Sequence, residues 1–144
     1  MTLSSTSVAP ATRDDDLAEQ LERVARLVLR HRRAIVERHG LTPPLARALQ
    51  RLNADRPRAM ADLAEVLECD ASNVTGIVDR LEGKGLVERR ADDHDRRVKT
   101  VAVTPAGQRL ARRLRTELAS LPPSIAALAP SDRAALATLL GGIA

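Results

Sequence analysis

The sequence predicts a mainly α-helical fold with one small β-hairpin, and three observations carry that prediction. Two short amphipathic helical patterns lie a tight turn apart within residues 61–83. A pair of short strand patterns with a charged tip follows directly, up to residue 104. Longer helical patterns with apolar seams flank this stretch, at 14–40 and 105–144. We therefore predict a winged helix-turn-helix lobe (41–104) with a small β-wing, plus a helical region built from the two flanking parts.

Composition limits the classes of protein to consider. The 144 residues suffice for one domain with a core, and the net charge of +4 permits a nucleic-acid partner. The absence of Phe, Tyr and Trp excludes modules that stack bases on aromatic side chains. A single cysteine excludes an intrachain disulfide. There is no apolar run long enough to span a membrane and no signal-peptide core, so we expect a cytoplasmic protein.

The N-terminal part predicts a disordered tail over residues 1–13 and then two helices. The first helix runs from Asp14 to about His39, where Gly40 ends it. Its apolar seam suits a partner helix and consists of Leu17, Leu21, Val24, Val28, His31 and Ile35. The second helix follows Thr42 as N-cap, reaches about Asn53, and is marked by Leu45, Leu49 and Leu52. We expect a turn at residues 55–58.

The helix-turn-helix is predicted from residues 61–85. Its first helix spans Ala61 to Leu67, and residues 68–70 form the turn. Asp70 is the expected N-cap of the second helix, because its carboxylate can accept from free amides of the first turn. The apolar face of that helix repeats at i, i+3, i+4 and i+7 and comprises Val74, Ile77, Val78 and Leu81. Gly83 and Gly85 end it.

The other face of this second helix carries the chemistry. Ser72, Thr75, Gly76 and Asp79 lie opposite the apolar face, and Asn73 and Arg80 lie at its flanks. Small hydrogen-bonding side chains suit base edges, and Gly76 lets the backbone approach a partner at a cost of about 1 kcal/mol in helix propensity. Taken singly, each residue can be an ordinary capping or surface residue. Together, after a helix-turn-helix spacing, they favour DNA contact.

The hairpin consists of predicted strands over 86–90 and 98–103, joined by the polar run 91–97. Asp92, Asp93 and Asp95 at its tip would repel phosphates, so a simple basic patch is a poor interpretation. We expect instead that Asp95 orients an arginine by a charge-assisted hydrogen bond and that this arginine enters the minor groove. A solvated hairpin tip is the structural alternative.

The C-terminal part predicts further helices. Thr104 caps one whose apolar edge is Leu110, Leu114, Leu118 and Leu121, and residues 122–123 break it. Ser131 is the expected cap of the last helix, which carries Leu136, Leu139, Leu140 and Ile143. These helices and the first one hold more apolar surface than a small winged lobe needs. They form either a cap on the monomer core or a helical dimerisation region, and the resemblance to a known family described next favours the dimerisation region.

The segment resembles the MarR family of bacterial transcriptional regulators. The matching residues are Leu63-Ala64, Asn73-Val74-Thr75, Asp79-Arg80-Leu81-Glu82, Gly85-Leu86-Val87, Arg89-Arg90, Asp95-Arg96-Arg97 and Val103-Thr104-Pro105-Ala106-Gly107. The flanking helices extend the resemblance to roughly residues 14–144. It implies a homodimer on a palindromic operator, often a repressor released by a small molecule or by oxidation. It also places Arg97 as the minor-groove arginine and Asp95 as its partner.

We therefore hypothesise that the protein is a sequence-specific transcriptional regulator. It would act as a homodimeric repressor that a small-molecule effector releases from its operator. Its expected contacts with double-stranded DNA are Ser72, Asn73, Thr75, Gly76, Arg80, Lys84, Arg90, Asp95, Arg96 and Arg97. Arg89 and Lys99 are further candidates for phosphate contacts, although some of these cations will pair with Asp79, Glu82 or Glu88. The alternative is a winged-helix module for non-specific DNA binding or protein contact, without an inducer.

Other chemistries find little support in the residues. The sequence lacks a nucleophile elbow, a phosphate loop and paired carboxylates at a supported spacing, so we do not expect an enzyme. Three scattered histidines predict no metal site, and no cofactor is expected. Cys69 lies at the turn, where we expect it to pack as a small hydrophobe and not to sense oxidants. An effector pocket would be aliphatic and lined by arginine, which suits an anionic amphiphile.

Overall fold

The computed structural model describes residues 13–52, 57–92 and 97–143. In chain order the elements are α1 (Asp14–Arg38), α2 (Pro43–Arg51), β1 (Arg58–Ala59), α3 (Met60–Leu67), α4 (Ala71–Gly83), β2 (Val87–Ala91), β3 (Lys99–Val103), α5 (Pro105–Leu118), α6 (Pro123–Ala126) and α7 (Pro130–Gly141). The mainly α fold with a small β-wing is therefore confirmed. No helix in these described ranges is both long and apolar enough to cross a bilayer.

One core joins α1, through Ile35 and Val36, to α2, α3, α4, the wing and α5. Leu49 of α2, Leu63 of α3, Val74 and Leu81 of α4, and Leu114 of α5 are buried together there. Since the chain has no aromatic residue, this core is filled by Leu, Val, Ile and Ala. Each helix of the lobe thus buries the apolar stripe that its periodicity predicts.

The wing has three strands, one more than the sequence predicted. The strand order is β1-β3-β2, and both pairings are antiparallel. Arg58 pairs with Val101 although we had placed it in a turn, and Arg89 pairs with Val101 from the other side. Because β3 is central, its backbone groups have partners on both edges, and Val101 is fully buried. β1 has only two residues, and the strand with which it pairs lies more than forty positions later in the chain. No local sequence pattern therefore predicts it.

Three predicted helix caps differ from expectation. Ser131 does not cap α7, because the helix begins at Pro130 and Ala129 occupies the N-cap position. Proline at the first position needs no hydrogen-bond partner for its nitrogen, and it moves the start one residue earlier. Asp70 and Thr42 do occupy the N-cap positions of α4 and α2, but their side chains accept no capping hydrogen bond. Leu121 lies beyond the end of α5, which stops at Leu118.

The start of α5 is docked tightly onto the turn that leads into the wing. Thr104 caps α5 as predicted: its hydroxyl accepts from the Gly107 amide at 3.1 Å and donates to the Gly85 carbonyl at 2.7 Å. The Thr104 amide also donates to the Leu86 carbonyl. A Cβ atom at Gly107 would lie 2.0 Å from that carbonyl oxygen. Glycine is therefore needed here for close approach.

A carboxylate joins the ends of α1 and α5. Glu117 accepts hydrogen bonds from Arg38 and from His39, each at 3.0 Å. The hydrogen bond from His39, and then that from Arg38, lowers the pKa of Glu117 below its ordinary value of 4.5. Nearby, the His31 ring lies 3.1 Å from the Ser120 hydroxyl. These contacts hold the long first helix beside α5.

Gly107→Ala should destabilise the fold by about 1–3 kcal/mol, because the methyl group must displace the Leu86 carbonyl or the helix start. Urea unfolding followed by circular dichroism measures this change. Gly83→Ala is the matched control, since nothing lies within 4 Å of a Cβ there, and it should be neutral or stabilising. Equal stability of Gly107→Ala and wild type would contradict the close approach.

Glu117→Gln should lower stability near neutral pH and lose that effect in acid. The lowered pKa means that the carboxylate stabilises the fold above the ordinary value of 4.5, and that this contribution disappears as the pH falls through the lower folded-state value. Thermal melts of wild type and variant from pH 7 to pH 3 should therefore converge. Glu65→Gln, at an exposed position with no ion pair among the described residues, should show no such convergence. A pH-independent difference for Glu117→Gln would refute the ion pair.

Candidate nucleic-acid interface

Helix α4 separates its apolar and polar residues cleanly. Val74, Val78 and Leu81 are at most 1% exposed. On the opposite side lies a set that we call the outward face of α4, comprising Ser72, Asn73, Thr75, Gly76 and Arg80. All of these are exposed except Gly76, which is half-buried. The buried face thus fixes which residues the helix presents to solvent.

A hydrogen bond within α4 already uses one of the side-chain donors on this face. The Thr75 hydroxyl donates to the Ala71 carbonyl at 3.1 Å, so it presents its acceptor lone pairs outward. Ser72 and Asn73 lie in the first turn of α4, where the helix dipole is positive. A Cβ atom at Gly76 would meet nothing within 4 Å. Apart from Arg80, the face is therefore made of small, polar residues and is open to a close partner.

A cleft beside this face, the α2/α4 cleft, separates the start of α2 from α4. Its volume is about 350 Å³. Its lining residues are Pro44, Arg47, Leu67, Cys69, Ser72, Asn73, Gly76, Ile77 and Arg80. In the described chain neither Arg47 nor Arg80 has an ion-pair partner, so two uncompensated cations flank the polar residues of α4. Cys69 is half-buried and packs against the core, as expected for a small hydrophobe.

Arg89 connects the wing to α4 and is not available for a phosphate. Its guanidinium forms ion pairs with Asp79 and Glu82 of α4, and its amide donates to Glu82 at 3.0 Å. The hydrogen bond with Asp79 is the main cause that raises the pKa of Arg89. The sequence predicted Asp79 on the side of α4 opposite the apolar face. Its negative charge is compensated by this ion pair with Arg89. These two ion pairs, which we call the Arg89 brace, hold the wing against α4.

The remaining predicted cations are spread around α4. Arg90 forms an ion pair with Glu88 on its own strand. Lys84 lies at the C-cap of α4 with its ammonium group beside Gly40, close to the end of α1. Lys99 begins β3 and is exposed. These three do not share the outward face of α4 with Arg80.

The wing tip lies partly outside the described residues. Arg97 is described, is exposed and precedes β3, on the same hairpin that Arg89 braces. The predicted contacts Asp95 and Arg96 lie outside the described residues. The structure thus describes α4 and the base of the hairpin. The expected pairing of Asp95 with an arginine stays a prediction.

A second cleft, the α1/α2/α5 cleft, lies on the other side of α2. Its volume is about 470 Å³. Its lining residues are Leu29, Arg32, Arg33, Val36, Pro43, Ala46, Arg47, Gln50, Arg51 and Leu118. Among the described residues no group of three or more His, Cys, Asp or Glu side chains is placed to hold a metal ion.

Residues 41–99 match the family model described as "MarR family". This match covers the helix-turn-helix and most of the wing, and the whole fold agrees with it. Over these residues, about two fifths of the chain, the protein is similar to the MarR family.

Curated relatives and solved structures are similar to the chain as well. An uncharacterized HTH-type transcriptional regulator of Bacillus subtilis, YsmB, is 28% identical over 102 residues, which cover 71% of this chain and 70% of YsmB. The chain spans only about half the length of the other curated relatives that it matches. The fold is similar to that of a MepR mutant from S. aureus bound to an oligodeoxyribonucleotide, with a TM-score of 0.72, 17% identity, and coverage of 89% of this chain and 98% of MepR. CouR from Rhodococcus jostii RHA1, bound to p-coumaroyl-CoA, is 27% identical with a TM-score of 0.61, over 94% of this chain and 95% of CouR.

Arg47 lies beside the outward face of α4 but was not predicted from the sequence as a contact. This side chain lines the α2/α4 cleft together with Asn73 and Arg80. Its signal was present, because Arg47 is an exposed cation in the first two turns of a helix whose other face, Leu45 and Leu49, is buried. The packing of α2 beside α4 is long-range information, however, and no periodicity encodes it.

Gly76→Ala should raise stability by about 0.5–1 kcal/mol and weaken DNA binding. Alanine is the better helix former, and the new methyl group projects into open space in the free protein. On DNA the same methyl group would stand between the outward face of α4 and the base edges. Urea unfolding and a fluorescence-anisotropy titration with operator duplex measure the two effects. Unchanged DNA affinity would show that this part of α4 is not in contact.

Proposed function

We propose that this protein is a transcriptional regulator of the MarR type, which binds as a homodimer to an inverted repeat, represses transcription there, and is released by a small molecule. The observation that carries the proposal is the division of α4, in which Val74, Val78 and Leu81 are buried while Ser72 and Asn73 face solvent. A helix anchored in this way can enter the major groove as a rigid body. The fold shared with the DNA-bound MepR mutant supports the same geometry.

Different residues would make different kinds of contact. Ser72, Asn73 and Thr75 offer donors and acceptors for base edges, and Gly76 permits close approach. Arg80, which lacks an ion-pair partner in the described chain, would contact phosphate at the edge of the groove. Arg90 and Lys84 would contribute more weakly, because Arg90 is paired with Glu88 and Lys84 lies beside Gly40.

The wing would reach the neighbouring minor groove. Arg97 stands on the hairpin that Arg89 ties to α4, so the distance between the wing and the recognition helix is restrained. An arginine in a narrow minor groove reads the negative potential there. We assign this role to Arg97, with Arg96 as a neighbouring contact and Asp95 as the carboxylate that orients the guanidinium.

Exposed apolar side chains support dimerisation through α1 and the C-terminal helices. They include Leu17, Leu21 and Val24 on α1, Leu121 and Leu128 around α6, and Leu139, Leu140 and Ile143 at the C-terminal end. Helix α7 has no buried residue. A helix of 12 residues without tertiary packing is marginal in water, so α7 needs a partner surface. A second copy supplies one that is equally apolar.

A two-fold dimer would place two α4 helices roughly 34 Å apart, one turn of DNA. Its target would then be an inverted repeat. The small molecule would bind in the α1/α2/α5 cleft, which lies between the proposed dimerisation helices and the DNA-binding lobe. The similar protein CouR is bound to p-coumaroyl-CoA, which supports an effector for this chain as well.

Leu139→Glu combined with Leu140→Glu should convert the dimer into monomer. Two charges in an apolar contact would have to be desolvated, which costs several kcal/mol. Sedimentation velocity at micromolar concentration measures the change in mass. Ala61→Glu, an exposed position on α3, is the control and should leave the dimer intact. A variant that stays dimeric would move the interface away from α7.

Arg97→Ala should weaken operator binding by about 1–3 kcal/mol if the wing arginine enters the minor groove. The assay is a titration of the duplex immediately upstream of the protein's own gene, with excess non-specific competitor and a salt series. Wild type should bind one site with an affinity that falls steeply with salt. Arg112→Ala on α5 removes the same charge away from α4 and the wing and should have a much smaller effect.

Two results would count against the proposal. Unchanged affinity of Arg97→Ala would remove the minor-groove role of the wing. Equal binding of wild type to every duplex would favour non-specific DNA binding, and no binding at all would favour a protein-contact module.

A further inference from the structure

The cations on the two sides of α4 differ in how their charges are compensated. On the side of the wing, Arg89 is paired with two carboxylates of α4, and Arg90 is paired with Glu88. On the side of α2, Arg47 and Arg80 line the α2/α4 cleft, and neither has an ion-pair partner in the described ranges. The side of α2 therefore offers two guanidinium groups whose charge no carboxylate of the described chain compensates.

The α2/α4 cleft adjoins the surface that the proposed function places against DNA. Four of its lining residues belong to the outward face of α4, and these are Ser72, Asn73, Gly76 and Arg80. Arg47 stands across the cleft on α2 and is exposed. The volume of about 350 Å³ is far more than a single water molecule needs, so a phosphate group can enter between the two arginines.

The lining of this cleft selects an anion. Among the described residues that line it there is no carboxylate, while two guanidinium groups, one hydroxyl and one amide are present. Ser72 and Asn73 lie in the first turn of α4, where the helix dipole is positive. Guanidinium groups bind phosphate oxygens through paired hydrogen bonds and keep their charge throughout the physiological pH range. A phosphate group is therefore the occupant that this lining fits.

We propose that the α2/α4 cleft is a phosphate-binding site that holds one phosphodiester group of the DNA backbone between Arg47 of α2 and Arg80 of α4. This inference rests on the proposed function and adds α2 to the DNA interface. A helix in the major groove lies between the two backbones that border the groove. With α4 in that position, the backbone on the side of α2 would cross the cleft.

The site would position α4 and would not read sequence, because the phosphate group is the same at every base pair. Leu49 of α2 and Val74 of α4 are buried in the same core, so the two helices are fixed relative to each other. A phosphate held from both helices would therefore restrain the rotation of α4 in the groove. Ser72 and Asn73 would then meet the base edges in one register.

The first experiment compares Arg47→Gln with wild type on the operator duplex and on a scrambled duplex of equal length, over a salt series. Both complexes should weaken by the same factor, about tenfold, since a hydrogen bond to a charged group contributes about that much. The slope of log K against log salt should fall by about 0.9 for each protomer bound. Arg112→Gln removes the same charge from an exposed position on α5, and its affinity should stay within about twofold of wild type, because salt screens distant charges.

A conservative variant separates charge from fold. Arg47 is exposed, so its replacement should leave the fold intact, and a thermal melt of each variant verifies this. Arg47→Lys keeps the positive charge but lacks the planar guanidinium. It should therefore keep the salt slope of wild type, which counts the neutralised phosphates.

Neutral methylphosphonate groups then locate the phosphate. Each one replaces a single backbone phosphate of the operator, and wild type should lose affinity wherever a cation of the protein contacts that phosphate. At one position in each half-site this loss should disappear in Arg47→Gln and also in Arg80→Gln, because both arginines contact the same group. Arg112→Gln should keep the wild-type pattern. Such a loss arises only from a DNA phosphate, so it distinguishes a backbone phosphodiester from a free phosphate ion in the same cleft.

The outcomes distinguish the phosphate site from the proposed function. If Arg47→Gln keeps the wild-type affinity, slope and methylphosphonate pattern, the site is wrong while the proposed function stands. Arg47→Gln and Arg80→Gln that lose sensitivity at different phosphates would contradict a shared group, and a loss of affinity for the operator alone would mean that Arg47 reads bases. Equal binding of wild type to both duplexes would contradict only the sequence-specific function, since the loss and the slope can be measured on either. Binding to neither duplex would contradict both.

Discussion

The burial of one face of α4 is the constraint on which the rest of this structure depends. Val74, Val78 and Leu81 insert into a core without aromatic residues, so the helix cannot rotate without exposing them. That restraint fixes Ser72 and Asn73 on the outside. The Arg89 brace adds a second restraint, because it fastens β2 to the same helix through Asp79 and Glu82. Helix and wing thus form one rigid unit.

The sequence predicts the elements of this unit well, because each one buries a stripe with its own period. The spacing of Val74, Val78 and Leu81 is local information, and so is the Thr104 cap. Two features of the structure were not predicted, each for a different reason. The pairing of Arg58 with Val101 joins distant positions, and it produces a third strand that no pattern announces. The start of α7 depends on Pro130, whose fixed φ competes with the capping tendency of Ser131.

The arginines show why the candidate site could be predicted only in part from the sequence. From the sequence, Arg80, Arg89 and Arg90 are equivalent candidates for phosphate contact. The structure separates them, since Arg89 and Arg90 are paired with carboxylates while Arg80 has no partner in the described ranges. Arg47 enters only when α2 is placed beside α4. Which cations are neutralised is decided by packing, and only a three-dimensional arrangement reveals it.

The most direct test of the account is selection of binding sites from a pool of duplexes with randomised sequence, using the full-length protein at physiological salt. The account predicts enrichment of an inverted repeat whose half-site centres are about one helical turn, 10–10.5 base pairs, apart. That result would show that two copies present the outward face of α4 to successive major grooves. A pool that stays random after repeated rounds would contradict sequence-specific recognition by α4. Enrichment of a single, unrepeated half-site would contradict the two-fold dimer.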